Sequence, residues 1–319
     1  LFILVVGVMT TGCKQTSKKA EMEAYEFIES FEEEMIPVYV EKNKAYFEAS
    51  ITGKDEDYAR SSELELKFTK ILADKDKFEK VKQLRESDLI KDSVLKREFD
   101  LLYYSMVRYQ IDTIKLEKLI KAQTDLEQKF STFRAEVDGK QLTDNDIENI
   151  LQNSTDSEML EKTWLASKQI GAAVAEEVIA LVRLRNEIAS DLGYSNYHNM
   201  SLTTSDQDPD EVLQIFDELD SLTSDTFADL KEEMDNFLSE KYQVSKEDLM
   251  PWHYQNRFFQ EAPRIYEVDL DAYYKGKDMV EIVEKYFPGI GLDVADVLKN
   301  SDLYEKEGKN QHAYCTSID

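Results

Sequence analysis

Histidine and cysteine are scarce in this sequence, which has only three histidines and two cysteines among its 319 residues. So few histidines leave little room for a histidine-rich metal site within these residues. Two cysteines are too few for a disulfide scaffold. Glycine and proline are also scarce, at ten and five residues, which argues against a β-sandwich, a β-barrel or a long disordered linker.

Basic residues are few relative to acidic ones, with 39 Lys and Arg against 66 Asp and Glu and a formal charge of −27. Because phosphate recognition needs a basic face, this balance excludes a nucleic-acid partner. We interpret the excess acid as a source of solubility. The hydrophobic fraction of 42% is enough for a large core, in one large domain or two ordinary ones.

The most apolar run is Leu1–Met9, which is too short to span a bilayer because a spanning helix needs ~20 apolar residues. Its length is that of the apolar region of a secretory signal peptide. The next residues, Thr10-Thr11-Gly12-Cys13, resemble a bacterial lipobox, although Thr10 stands where Leu is usual. We therefore predict a signal peptide at residues 1–12 and a lipidated Cys13 with a tether at 13–20, held stably by two or more acyl chains. The alternatives are an ordinary signal peptide with an incidental cysteine and a buried first strand.

The remaining sequence is predicted to be all-α, because its apolar residues recur at helical spacing. Ile28, Phe31 and Met35 follow this spacing, and Pro37 is expected to end or kink their helix. Helix starts are indicated by two capping-box patterns and by an Asp-Pro pair followed by acids. The second pattern opens a helix to about Leu192, with Gly193 as its C-cap. The start signals lie at Thr143–Asp146, Thr155–Glu158 and Asp208–Glu211.

The sequence changes in character after Met250, where aromatic residues and prolines become dense and helix signals become few. The only convincing β stretch runs from His312 to Ile318, so we expect a short strand near the C-terminus. The chain contains no His-Glu-x-x-His, Cys-x-x-Cys, phosphate-binding glycine loop or Gly-x-Ser-x-Gly. No residue of this chain is therefore assigned as catalytic or as a metal ligand.

Four segments carry a resemblance to a known family. Met250–Pro263 and the run from Ser301 to Cys315 are the more specific, and Val38–Ser50 and Arg185–Met200 add to them. Together they resemble bacterial members of the angiotensin-converting-enzyme family, the peptidyl-dipeptidase A type of zinc peptidase. The Gly-Lys-x-x-x-Ala-Tyr spacing at residues 308–314 is also similar to that of the related thimet-oligopeptidase and oligopeptidase-F group.

The resemblance implies a mostly helical, two-lobed shell around a deep channel, and a zinc-dependent metallopeptidase that hydrolyses short peptides. In the family, zinc sits on a His-Glu-x-x-His helix whose Glu polarises the zinc-bound water. Those residues are not in this sequence, and the chain has no initiator Met and stops within the strand-like run. We therefore interpret residues 21–319 as the N-terminal portion of the catalytic domain, inactive alone, with the zinc ligands in a missing C-terminal half.

The resemblance also implies two substrate-binding residues, His312 and Ala313. The histidine would donate a hydrogen bond to a substrate carbonyl, and the backbone at Ala313 would pair with the bound peptide. An extended peptide gains affinity and register by adding to a strand edge, and a neutral imidazole can donate to an amide oxygen or a developing oxyanion. Tyr314 and Cys315 are bulkier than the residues at these places in the animal enzymes, and Cys315 is expected to be a free, buried thiol.

The remaining candidates have structural interpretations. His253, between Trp252 and Tyr254, is expected to pack in an aromatic cluster, and His198 is also expected to be structural. Arg183 and Arg185, on an apolar helix, are expected to snorkel or pair with acids rather than bind an anion.

Three functions remain open at this stage. The first is the lipid-anchored zinc peptidase of a bacterial cell envelope, facing the periplasm or the outer surface, with peptides as substrates and the membrane as a partner. The second is a non-catalytic helical lipoprotein of the cell envelope that binds peptides or glycans. The third is a catalytically dead member of the family that keeps the helical shell without the zinc residues.

Overall fold

The computed structural model describes residues 2–266, 271–312 and 314–316, with side chains from Ser17 onwards except that of Asp271. Within these residues the fold is built from α-helices, a two-stranded hairpin and three short 3-10 helices, so the predicted all-α fold class is confirmed. The helices are α1 (Phe2–Thr52), α2 (Asp55–Leu72), α3 (Lys75–Arg85), α4 (Ser93–Val107), α5 (Thr113–Thr132), α6 (Asp144–Asn153), α7 (Ser157–Asp191), α8 (Tyr197–Thr203), α9 (Pro209–Tyr242), α10 (Met279–Gly289) and α11 (Ala295–Lys299). The strands are β1 (Ala135–Val137) and β2 (Lys140–Leu142), and the 3-10 helices are Lys246–Asp248, Pro251–Tyr254 and Asp271–Tyr273.

The predicted helix starts are confirmed with one shift. Thr143 and Asp146 form a reciprocal capping box at α6, and the carboxylate of Asp208 accepts from the first backbone N–H groups of α9. At α7 the capping carboxylate is that of Asp156, one residue after the predicted Thr155. At the other end of α7, Gly193 has φ +88°, which is the left-handed C-cap conformation that glycine adopts without strain.

The structure corrects two expectations about secondary structure. Pro37 was expected to end or kink its helix, and α1 does not end there but continues to Thr52. A proline inside a helix costs one backbone hydrogen bond. Val38 and Ala45, which follow Pro37 in α1, are both buried, so their packing offsets that loss. The predicted strand at His312–Ile318 is not formed at residues 312 and 314–316, and its other residues lie outside the described part of the chain.

The β structure lies instead in a hairpin that the sequence reading overlooked. Strands β1 and β2 are antiparallel, with Ala135 opposite Leu142 and Val137 opposite Lys140. Asp138 and Gly139 connect them and have φ angles of 51° and 80°. Two successive positive φ values are the requirement of a type I′ turn, for which Asp-Gly is a preferred pair.

The described residues divide into two compact units. The first comprises Leu1–Phe133, Gly171–Thr223 and His312–Asp319, and the second comprises Arg134–Ile170 and Ser224–Gln311. In the first unit, Ile28 and Phe31 of α1 pack with Phe99 and Met106 of α4. Burying side chains of this size contributes roughly 1.5–3 kcal/mol each, so the core that α1 and α4 share with α2 and α3 is a main source of stability there.

The second unit has its own buried residues. They include Ile147 and Leu151 of α6, Leu160 of α7 and Leu238 of α9. No helix in the part of the chain that the structure describes combines the length and hydropathy needed to cross a membrane. The side chain of Cys13, the predicted lipidation site, lies outside the described residues.

Candidate functional site

His312 lies against α5 in the first unit. Its ring stacks on that of Phe130, with centroids 5.5 Å apart and an angle of 19° between the ring planes. The residue as a whole is exposed, and the contact with Phe130 orients one face of the imidazole. Ala313, the second predicted substrate-binding residue, lies outside the described residues.

Tyr314 attaches the same segment to α1. Its phenolic oxygen lies 2.7 Å from Oγ of Ser50, and its ring meets that of Tyr46 edge-on at a centroid distance of 5.3 Å. The Ser50 hydroxyl donates its own proton to the carbonyl of Phe47 at 2.8 Å, so Tyr314 is the donor to Ser50. The bulk of Tyr314 is therefore used for packing on α1.

Two further tyrosines lie at this attachment. The Tyr46 hydroxyl donates to Glu127 of α5, and burial, followed by this hydrogen bond, raises the pKa of Tyr46 well above its usual range. Burial also raises the pKa of Tyr58. Both phenols remain neutral at any physiological pH, so neither serves as a general base. Tyr46 acts as a hydrogen-bond donor, and Tyr58 is a buried packing group.

The expectation that Cys315 is a buried thiol is wrong. The residue is a free cysteine, as predicted, but it is exposed. Tyr314 occupies the position against α1, and the next side chain along the chain is left on the solvent side.

His253 is a buried structural residue of the second unit, as predicted. Its Nδ1 accepts from the backbone N–H of Met250 at 2.9 Å, and its Nε2 lies 2.8 Å from the Ser157 hydroxyl. The ring is 2% exposed and packs against Tyr242 at 4.8 Å. Because Nδ1 is an acceptor, the neutral ring carries its proton on Nε2, and burial lowers the pKa of His253.

Arg257, in the same Met250–Pro263 motif, ties this loop to α6. Its Nε donates to Glu148 at 2.8 Å and a terminal nitrogen donates to Asp144 at 2.7 Å. Its backbone carbonyl accepts from Lys168 at 2.7 Å. The motif therefore has a structural function in the second unit, since Arg257 binds two carboxylates of α6 there.

The motif from Ser301 onwards also folds through its own polar groups. Lys309 donates to the carbonyls of Asp302 and Tyr304 at 2.6 and 2.9 Å. Arg134 in turn donates to Glu305 at 3.0 Å and to the carbonyl of Lys309 at 2.7 Å. These bonds fix a segment that has no regular secondary structure immediately before His312.

The described residues do not fit a zinc site. None of them form a group of three or more His, Cys, Asp or Glu side chains that could hold a metal ion. Both ring nitrogens of His253 are already engaged, and His198 lies exposed on α8. No catalytic step is therefore assigned to a metal held by these residues.

The sequence reading missed the residues that position the C-terminal segment. Tyr46 and Ser50 lie four residues apart in α1, which places both side chains on one face of the helix. That spacing was visible, but nothing in it indicates which distant segment the face contacts. His312 is the predicted site residue that the structure describes, and it packs against Phe130 of α5.

A comparison with curated proteins finds no match for this chain. A comparison with protein families finds the profile described as angiotensin-converting enzyme, peptidase family M2, over residues 18–257. The match covers the helical segments from α1 to α9 and the first half of the Met250–Pro263 motif, and the residues of the second motif lie beyond it. Since it spans well over half of the 319 residues, the chain belongs to the angiotensin-converting-enzyme family of peptidases.

Proposed function

We propose that this chain is part of a zinc-dependent peptidase that removes dipeptides from the C-termini of short peptides or cleaves short peptides internally. The observation that carries the proposal is the family match over residues 18–257. The zinc ligands are proposed to lie outside the described residues, because those residues form no group suited to the ion. On this proposal the chain supplies the helical shell and part of the peptide-binding surface.

His312 is proposed to donate a hydrogen bond to a substrate carbonyl, and the backbone at Ala313 to pair with an extended peptide. The stacking of the imidazole on Phe130 supports this role, because a ring held on one face loses little freedom when it binds a ligand. The attachment of Tyr314 to Ser50 supports it as well, because it holds the chain at residue 314 against α1. Main-chain pairing then contributes affinity and register.

The test is an assay of the protein expressed from its complete reading frame. Peptides with free and with amidated C-termini are digested and the products are identified by mass spectrometry, while bound zinc is measured by elemental analysis. We expect dipeptide products, loss of activity on chelation and recovery with zinc. Replacement His312→Ala is expected to lower kcat/KM by about 10²–10³-fold, and the exposed His198→Gln is the matched control with little effect.

Other outcomes identify the alternatives. A protein that binds zinc without cleaving any peptide is a catalytically dead family member. A protein that binds neither zinc nor substrate analogues at a catalytic site, yet binds peptides or glycans, is the non-catalytic lipoprotein. An active enzyme in which His312→Ala and His198→Gln behave alike refutes the assignment of His312 alone.

Anchoring by lipid is proposed separately. Its support is the apolar run Leu1–Met9 followed by Thr11-Gly12-Cys13 and a polar tether, and it places the protein in a bacterial cell envelope. Metabolic labelling with a fatty acid in a bacterial host is expected to label the protein and to place it in the membrane fraction. Cys13→Ser is expected to abolish both, whereas Cys315→Ser is expected to leave both unchanged. Equal labelling of the two variants refutes Cys13 as the anchor.

A further inference from the structure

A small cavity in the first unit is lined by two arginines and by no acidic residue. Its volume is about 130 Å³, and its polar lining includes Arg108, Gln123, Arg185, Tyr197 and Ser201. These residues come from the C-terminal end of α4 and from α5, α7 and α8. In a chain with 66 acidic residues, a cavity with this composition is unexpected.

Among the residues that the structure describes, no carboxylate forms an ion pair with either arginine. Arg108 donates to the carbonyl and the hydroxyl of Thr204 at 3.1 and 2.8 Å, and Arg185 lies over the ring of Tyr197 at 5.0 Å. The Nε of each guanidinium is buried without a hydrogen-bond partner in the structure. Arg185 was expected to snorkel or to pair with an acid, and in the described part of the chain it lies over Tyr197 and pairs with no acid.

Four other arginines of this protein do have carboxylate partners. Arg85, Arg97, Arg134 and Arg257 each form an ion pair with an Asp or Glu at 3.0 Å or less. With acids in such excess, a partly buried guanidinium without a carboxylate partner is costly, and two beside one cavity also repel each other. An anion in the cavity removes both costs.

We propose that this cavity binds a small oxyanion, of the size of phosphate or a short carboxylate, between Arg108 and Arg185. Planar guanidinium groups bind oxyanions through paired N–H donors. The hydroxyls and amide of Tyr197, Ser201 and Gln123 add neutral donors. The volume exceeds that of one water position, about 10–15 Å³ on this scale, several-fold, which is sufficient for an ion of this class and too small for a nucleotide.

Binding of the ion is expected to stabilise the first unit, because it links the end of α4 to α7 and α8. The test uses the complete chain, with equilibrium dialysis against phosphate and against acetate, and with thermal unfolding at constant ionic strength set by sodium chloride. We expect saturable binding of one ion per chain and a higher unfolding temperature. Tighter binding of phosphate identifies the ligand class as a phosphoryl group, and tighter binding of acetate identifies it as a carboxylate.

The decisive comparison is between two arginines on the same helix. Arg185→Gln is expected to weaken binding by tenfold or more, whereas Arg183→Gln makes the same change of charge at an exposed position and is expected to leave binding unchanged. Arg185→Lys keeps the charge without the paired donors and is expected to give an intermediate result. If Arg185→Gln does not fold, Arg185→Lys provides the test in its place. Absence of saturable binding, or equal losses in the Arg183 and Arg185 variants, overturns the proposal.

Discussion

The hydroxyl of Tyr314 lies 2.7 Å from the side-chain oxygen of Ser50, a residue 264 positions earlier in the chain. Together with the edge-on contact to Tyr46, this bond attaches the segment that follows His312 to α1. Residues 314–316 form no regular secondary structure. Tyr314 is therefore a side-chain attachment of this segment to α1.

Replacing Tyr314 is expected to release this segment. Tyr314→Phe removes the hydrogen bond but keeps the ring, and a bond of this kind contributes about 1 kcal/mol, so amide exchange at residues 314–316 is expected to rise about fivefold. Tyr314→Ala removes both contacts and is expected to give a larger increase. Hydrogen–deuterium exchange measures this, with the exposed Tyr304→Phe as control. Unchanged exchange in Tyr314→Ala contradicts the attachment.

His253 is expected to make stability depend on pH. Burial lowers its pKa in the folded protein below its ordinary value of 6.5, so the unfolded chain binds the proton more tightly. The contribution of the neutral ring to stability is complete above pH 6.5 and is lost as the pH falls through the lowered pKa. Protonation at Nδ1 also breaks the bond from Met250.

The measurement is urea unfolding between pH 5 and pH 8 in the wild type and in two histidine variants. His253→Gln is expected to lower the free energy of unfolding by about 1–3 kcal/mol at pH 8 and to show a flatter decline towards pH 5. His198→Gln, at an exposed position, is expected to follow the wild type. A wild-type decline that persists unchanged in His253→Gln assigns the pH dependence to other groups.

Arg257 is expected to be among the most sensitive charged positions. Its side chain is 11% exposed and compensates two partly buried carboxylates, those of Asp144 and Glu148. Arg257→Met leaves both without their cation and is expected to lower the free energy of unfolding by about 3–5 kcal/mol. The exposed pair of Arg60 with Glu48 provides the control, since Arg60→Met is expected to cost about 1 kcal/mol or less. Equal effects in chemical denaturation contradict this account.

Two glycines of the α7 region are expected to respond with opposite signs. Gly193 has φ +88°, so Gly193→Ala is expected to cost about 1–2 kcal/mol. Gly171 lies inside α7 with open space around its Cα, so Gly171→Ala is expected to stabilise the helix by about 0.5–1 kcal/mol. Thermal unfolding of the two variants checks the signs, and a shared sign contradicts the assigned conformations.

Local signals predicted most of the helical architecture. A few adjacent residues decide each of three helix ends. These are the cap at Thr143, the start of α9 after Asp208 and the end of α7 before Gly193. The Asp138-Gly139 turn was equally readable, because the pair indicates a type I′ hairpin. Its three-residue strands are too short to show alternation, which is why they escaped notice.

Distant contacts account for the errors. Whether Cys315 is buried depends on which neighbour packs against α1, and that position is taken by Tyr314. Whether a helix ends at Pro37 depends on the packing of the following residues. The cavity of Arg108 and Arg185 joins residues 77 positions apart, and no spacing rule connects them.

The sequence alone determined the fold class, the family and the buried structural role of His253, because helix periodicity, caps and aromatic density are properties of neighbouring residues. Only the tertiary structure decided that His312 stacks on Phe130, that Tyr314 is held by Ser50, and that Arg108 and Arg185 line one cavity. The physical reason is that side-chain partners in an all-α fold are set by the packing of whole helices, which depends on the shapes and burial of many residues at once.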